Sequence, residues 1–486
     1  MRSVQRRVLA AVLAFAAVFA PCVSAYAEPT AQTEEPAPVN PAAGTEDMTF
    51  EEALQASYDT LPETNSLPGW TQGPQVYGNA AVVMDMDSGA VLYGKKIYDR
   101  HYPASITKLL TALVALENGG MDGEVTFSQE SIDILRWDYA SIGMKPGEVL
   151  SMEDAMYGML LASGNEVAYA IAENVGNKMG GGYDAFIREM NERSEELGCT
   201  GSNWVNANGL HDPQHYTTAY DMALIVSELY KHEEFCTVSQ TLNYTIGPTN
   251  LTDEPRYVQQ KHKMLWPENS NYYEYCTGGK TGYTDDSRTT LVTTAENGTL
   301  RLVAVVLRNN RDVYQDTRSI LDYVFRNFSR VLLKEQEKPE EVRSYTDDNA
   351  YVLLPSGIDF SSLDHQITVT DEVEASGRIT FYYEGQNVGS TDVTLTPEYV
   401  EEATGYTPRM ELSEKPDAGG AEKDEDSGDG MQIPVWLACV AAAVLAVAAV
   451  LCVLVLRARY IRAKRRREAR RRRRRKQPPR RRSQKR

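Results

Sequence analysis

Apolar positions along this 486-residue chain change period several times, and each change marks an element. "AAVVMDMDSGAVLYGKK", from Ala80, sets two short apolar runs around Asp87-Ser88-Gly89, a β-hairpin signal. Ile106, Leu109, Leu110, Leu113 and Val114 then recur at the spacing of one helix face, which predicts a helix that Gly119 stops. Residues 151–177 and 183–197 read as helix, opened by Ser151 and Asp154 at capping-box spacing. Residues 216–232 read as a further amphipathic helix. "RTTLVTTAENGTLRLVAVVLRN", from Arg288, is two β runs joined at Glu296-Asn297-Gly298, and residues 313–335 return to helix. Strands at both ends with helices between them predict one sheet assembled from both termini, with a helical insert. Residues 340–412 alternate with short turns and predict a small all-β domain.

The termini break this texture. Residues 1–27 have a basic start, an apolar middle and a small-residue end at Ala25-Tyr26-Ala27, the pattern of a secretory leader. Cys22 offers a lipid-attachment alternative, which Pro21 directly before it disfavours. Residues 28–73 are rich in Pro, Thr, Glu and Ala and read mostly as a disordered lead-in. Residues 413–430 form an acidic flexible linker. Ile433 to Leu456 are uncharged and long enough to span a bilayer as a helix. The tail that follows, 457–486, holds 19 Lys and Arg and one acid, the flank expected on the cytoplasmic side. The formal charge of −18 therefore hides a strongly acidic body and a basic end. That segregation predicts a single-pass membrane protein with its body outside the cell, and no nucleic-acid partner. Cys199, Cys236 and Cys276 are the cysteines left in the body. An odd, irregularly spaced set is no disulfide framework.

Three short stretches carry candidate chemistry. In "PASITK", Ser105 and Lys108 share a helix face at the positive end of the helix dipole. A serine hydroxyl becomes a nucleophile when a neighbour takes its proton, and a lysine does so only when burial or a second cation lowers its pKa. In "LLASGNEVAYA", Ser163 and Asn165 flank Gly164 and interrupt a helical segment; Asn165 as a plain helix cap is the alternative. In "CTGGKTGYT", glycines around Lys280 and Thr281 allow close approach of a ligand or another backbone. His211 and His215 sit at i, i+4 spacing, but Pro213 between them disfavours a helical metal site, so a structured loop is expected. The aromatic run 271–275, "NYYEY", reads as a β edge, with lining of the cleft as the alternative. No metal or cofactor is expected.

S-x-x-K, then S-x-N, then K-T-G, in that order, is the signature set of penicillin-interacting serine enzymes. On these motifs and the blocks around them, residues 76–335 resemble the low-molecular-mass penicillin-binding proteins that are D-alanyl-D-alanine carboxypeptidases. The resemblance implies an α/β (α+β) transpeptidase-like fold, an antiparallel sheet flanked by helices with a helical subdomain, over 74–335. It implies Ser105 as the acylated nucleophile, Lys108 as general base and Ser163 as proton shuttle. Asn165 would bind the substrate's peptide carbonyl, Lys280 and Thr281 would hold the terminal carboxylate, and Gly282 would also belong to the substrate-binding set. The backbone N–H groups of Ser105 and Tyr283 would form the oxyanion hole. The implied substrate is a peptidoglycan stem peptide ending in D-Ala-D-Ala, with β-lactams as covalent inhibitors. A same-fold β-lactamase, endopeptidase or transpeptidase, or a catalytically silent wall-binding scaffold, are the alternatives. The first needs a dedicated carboxylate, and Glu166 beside Asn165 has no evident reason to serve as one. Ser287 and Arg288 depart from the small residues common after the K-T-G loop.

Overall fold

The computed structural model describes residues 48–407, and in it the apolar runs close into one central sheet. Its strands are β1 (Ala80–Asp85), β2 (Val91–Lys95), β3 (Cys276–Thr284), β4 (Arg288–Glu296) and β5 (Arg301–Asn309). They lie in the order β2-β1-β5-β4-β3, every pair antiparallel. Both termini of the region supply strands, as the order of elements suggests. Alternate residues face opposite sides. Val82, Met84, Val303, Val305 and Leu307 join the core beneath the helical insert. Ala81, Val83, Leu92, Ala304 and Val306 pack with Ile320, Leu321 and Val324 of the helix Val313–Asn327 on the other side. Ser287 and Arg288 are accommodated in the β3–β4 turn, where the Ser287 and Thr284 backbone N–H groups donate to each other's hydroxyls and Thr284 still pairs with Arg288.

The helix Thr107–Gly119 runs through the middle of the insert, with Thr107 to Ala115 all buried. It ends one residue later than expected, capped by Gly120 at φ 62°. The stretch 151–177 is two helices, Met152–Leu160 and Asn165–Met179, and the turn between them carries Ser163. The 216–232 helix is shorter, Ala219–Leu229, because the Thr218 hydroxyl accepts from Asp221 N–H and starts it there. The helix expected over 313–335 stops at Asn327, whose side-chain amide donates to the Tyr323 carbonyl in the last turn. Phe328–Leu332 is a strand paired with Tyr351–Pro355.

The lead-in expected to be disordered over 28–73 is folded from residue 48 on. Phe50–Asp59 is a helix with a full capping box between Thr49 and Glu52. Trp70 is 3% exposed and packs against Phe328 and Tyr383, at centroid distances of 5.2 and 6.1 Å. Lys95, wholly buried, donates from Nζ to the carbonyls of Ser57, Val76 and Gly78 at 2.6, 2.8 and 2.8 Å. Composition hides this because a few anchors, not a periodic apolar face, hold the segment. Trp70→Ala is expected to cost about 3–5 kcal/mol in denaturant unfolding, a loss a disordered lead-in would not show.

The β-region after residue 340 forms a four-stranded antiparallel sheet in which Gln386–Leu395 and Ser376–Tyr383 are central. Its Ile379, Phe381, Val388 and Val393 share one core with the back of the central sheet. Ser390 N–H donates to the Ser88 carbonyl at 2.7 Å, and Tyr351 donates its hydroxyl to Asp85 at 2.9 Å. The leader 1–27, the linker 413–430, the span 433–456 and the tail 457–486 lie outside the described residues. Among the described residues no helix is long and apolar enough to cross a membrane.

Candidate active site

Ser105 sits on the short 3-10 turn Ala104–Ile106, which runs directly into the helix Thr107–Gly119. Ala104, just before it, has φ 53°, a left-handed conformation that costs a non-glycine residue about 1–3 kcal/mol. The surroundings impose it. Thr107 donates its hydroxyl to the Ala104 carbonyl at 2.9 Å, and Thr290 donates to the Pro103 carbonyl at 2.9 Å. His215 stands behind Thr107, with Nε2 2.8 Å from its hydroxyl. His215 Nδ1 accepts from Val205 N–H at 3.1 Å, so in the neutral ring the proton is on Nε2 and points at Thr107. Burial first, then His211 and Lys108, lower the His215 pKa to about 3 and keep the ring neutral. The "HDPQH" stretch is thus a structural brace for the serine turn. Among the described residues no His, Cys, Asp and Glu gather in threes as a metal cluster would.

One helical turn on, Lys108 Nζ lies 3.0 Å from Ser105 Oγ. It also donates to Asn165 Oδ1 at 2.8 Å and to the Asn208 carbonyl at 2.6 Å. Asn165 opens the helix Asn165–Met179, and since its Oδ1 serves Lys108, its amide nitrogen remains for a ligand carbonyl. Ser163, at φ 66°, turns its hydroxyl to within 3.0 Å of Lys280 Nζ. Lys280 and Thr281 lie on the edge strand β3, and Lys280 donates to the Thr281 carbonyl at 2.9 Å. The strand passes close to the serine turn at Gly282, where a Cβ would come within 3.0 Å of Ser105 N and 2.4 Å of Thr290 Oγ1. That approach brings Ser105 and the backbone around Tyr283 to one side of the cleft. Three segments far apart in sequence meet here, and all eight residues singled out from it are within this assembly.

The electrostatics answer the question posed by the lysine. Lys108 is fully buried, and burial holds its pKa well below that of an ordinary lysine. Lys280 and Lys261 push it further down, while Glu166 pulls it up. Lys280 is itself lowered to about 7 by burial and by Lys261. Burial and the neighbouring cations favour the neutral form of Lys108, the form that can take a proton from a hydroxyl.

Ser105, Ser163, Asn165 and Tyr283 line a cleft of about 900 Å³, with Arg136, Tyr139, His211 and Lys261 around it. Lys261 belongs to no motif, and the chain around it shows no periodic signal. The Asn208 carbonyl was equally silent, and Glu166, weighed only as a carboxylate for hydrolysis, gave no sign of its buried contacts, because these roles arise from tertiary structure. The "NYYEY" run is not a β edge. It precedes β3, and Tyr273 is buried and donates to Asp322 of the helix Val313–Asn327 at 2.9 Å.

Known proteins share this frame. The family described as D-alanyl-D-alanine carboxypeptidase matches residues 69–311, half of the chain. The chain is 28% identical over 318 residues to D-alanyl-D-alanine carboxypeptidase DacF of Bacillus subtilis, covering 61% of this chain and 77% of that one. It is 30% identical over 228 residues to D-alanyl-D-alanine carboxypeptidase DacB2 of Mycobacterium tuberculosis, 46% and 73% of the two chains. The solved structure of penicillin binding protein 5 from Haemophilus influenzae has the same fold, with a TM-score of 0.51 at 23% identity over 67% of this chain and 98% of that one. The chain belongs to the D-alanyl-D-alanine carboxypeptidase family and is a serine-type D-Ala-D-Ala carboxypeptidase.

Proposed function

We propose that the protein trims the terminal D-Ala from peptidoglycan stem pentapeptides through an acyl-enzyme on Ser105. Ser105 Oγ attacks the carbonyl carbon of the penultimate D-Ala, and Lys108 takes the hydroxyl proton. The carbonyl oxygen becomes an oxyanion held by the backbone N–H groups of Ser105 and Tyr283. The C–N bond breaks, and the departing D-Ala amine receives a proton through Ser163. Lys280 and Thr281 hold the carboxylate of the departing residue, and Asn165 holds a peptide carbonyl upstream. Water then attacks the ester, and Ser105 recovers its proton as the shortened peptide leaves. The observation that carries this reading is Lys108 Nζ, fully buried and 3.0 Å from Ser105 Oγ, with the charges of Lys280 and Lys261 disfavouring its protonated form. A β-lactam offers the same carbonyl with a leaving group that cannot diffuse away, so it remains as an ester.

The leader, the apolar stretch 433–456 and the Arg-rich tail support a single-pass protein whose catalytic domain faces the wall and whose tail is cytoplasmic. Intact-mass analysis of the protein after incubation with benzylpenicillin tests the chemistry. One covalent equivalent is expected, mapping to the peptide that contains Ser105. An adduct elsewhere, or none, overturns the assignment.

A further inference from the structure

Glu166 follows Asn165 on the first turn of the helix Asn165–Met179 and is completely buried. A buried carboxylate is costly unless hydrogen bonds or opposite charges use it. Its Oε1 accepts two short hydrogen bonds, from the Ser141 hydroxyl and the Ile142 backbone N–H, each at 2.7 Å. Beside it, Asn165 N–H donates to the Ala140 carbonyl at 2.9 Å. These three bonds fasten segment 140–142 to the turn that carries Ser163 and Asn165. The residues just before that segment, Arg136, Asp138 and Tyr139, form one wall of the cleft, with the Arg136 guanidinium 5.7 Å from the Tyr139 ring centre. Glu166 does not itself line the cleft, so it acts through the groups it holds.

Charge is the second observation. The charges of Lys280 and Lys261 disfavour the protonated form of Lys108, and Glu166 is the carboxylate that opposes them. The other groups at Lys108 Nζ are neutral: the Ser105 hydroxyl, the Asn165 amide and the Asn208 carbonyl. His215, behind the serine turn, is also neutral.

We propose that Glu166 is a positioning residue for the reaction: its carboxylate clamps the cleft wall 136–142 to the catalytic turn and supplies negative charge to the cluster of Lys108, Lys280 and Lys261. The inference rests on Lys108 serving as the base. Three variants separate its two parts, assayed by release of D-Ala from a peptide ending in D-Ala-D-Ala. Glu166→Ala loses both parts, and kcat/KM is expected to fall about 10- to 100-fold, mainly through KM, as the wall is released. Glu166→Gln keeps an oxygen to accept from Ser141 and Ile142 but loses the charge. Its KM stays near wild type, while the acid limb of its kcat/KM profile moves to lower pH, because neutral Lys108 becomes easier to reach. Ser141→Ala weakens the clamp and keeps the charge, so KM rises and the acid limb stays in place.

A limb that does not move in Glu166→Gln, or KM values at the wild-type level in both Glu166→Ala and Ser141→Ala, overturns the proposal. A Glu166→Ala protein that fails to fold leaves the other two variants to decide. Benzylpenicillin labelling separates the failures. Wild type unlabelled at Ser105 removes the reading of the site and this inference with it, whereas labelled wild type with an unmoved limb removes the role of Glu166 alone.

Discussion

Ser105→Ala forms no covalent adduct with benzylpenicillin and releases D-Ala about a million-fold more slowly than wild type, when the two are compared by intact mass and by steady-state assay. The size of the loss follows from the geometry. Ser105 Oγ is the hydroxyl that Lys108 Nζ reaches at 3.0 Å. The other serine lining the cleft, Ser163, has its hydroxyl paired with Lys280 instead. Removing Oγ also leaves Lys108 with its two remaining partners, Asn165 Oδ1 and the Asn208 carbonyl, so the fold keeps its contacts. The variant is therefore expected to melt within about 1 kcal/mol of wild type in stability. A Ser105→Ala protein that still acylates, or still turns over at a tenth of the wild-type rate, would place the nucleophile elsewhere.

Gly209→Ala, far from any motif, is expected to cost about 100-fold in the rate of acylation. Gly209 has φ 81°, and a Cβ there would lie 1.8 Å from the Ala104 carbonyl oxygen and 2.9 Å from Thr107 Oγ1. Neither neighbour can yield cheaply. The Ala104 carbonyl is backbone, already in a left-handed conformation, and it accepts from Thr107, which His215 braces. The chain must shift, and with it either the turn that carries Ser105 or the adjacent Asn208 carbonyl that holds Lys108. Stability should fall too, by about 1–3 kcal/mol. Gly298→Ala is the control. Its φ is 84° but nothing lies within 4 Å of the new Cβ, so it should strain the β4–β5 turn and leave the acylation rate intact. Equal rates for the two variants would show that positive φ alone, not the crowding beneath Ala104, is at issue.

The catalytic frame was legible because its chemistry needs fixed residue types at local spacings. Ser105 and Lys108 are three apart, as are Lys280 and Tyr283, and Gly164 interrupts an apolar helical pattern between Ser163 and Asn165. The hairpin of β1 and β2 and that of β4 and β5 were legible from apolar runs around turn residues. What stayed hidden is held by long-range contacts. Lys261 is one lysine in a polar loop, and only the fold sets its charge against Lys108 and Lys280. His215 reads as half of a failed metal pair until Thr107, 108 residues away, supplies its role. The helix at 50–59 did leave a trace, the Thr49-x-x-Glu52 box, but surrounding Pro and Glu outweighed it. The end of the helix at Asn327 had no comparable stop signal, because Phe328 would fit a helix core as well as a strand; its burial against Trp70 selects the strand.

The common hydrophobic interior behind the central sheet limits how the C-terminal sheet can serve the enzyme. Phe381 and Ile379 are 2% and 0% exposed in the same core as Val83 and Leu92 of β1 and β2, and the Ser390 backbone N–H and hydroxyl both donate to the Ser88 carbonyl in the turn between those strands. A module fastened this way cannot swing out to sample its surroundings, since parting would wet a continuous oily layer. It behaves as a fixed keel: whatever orientation it adopts, the reactive cleft must adopt with it.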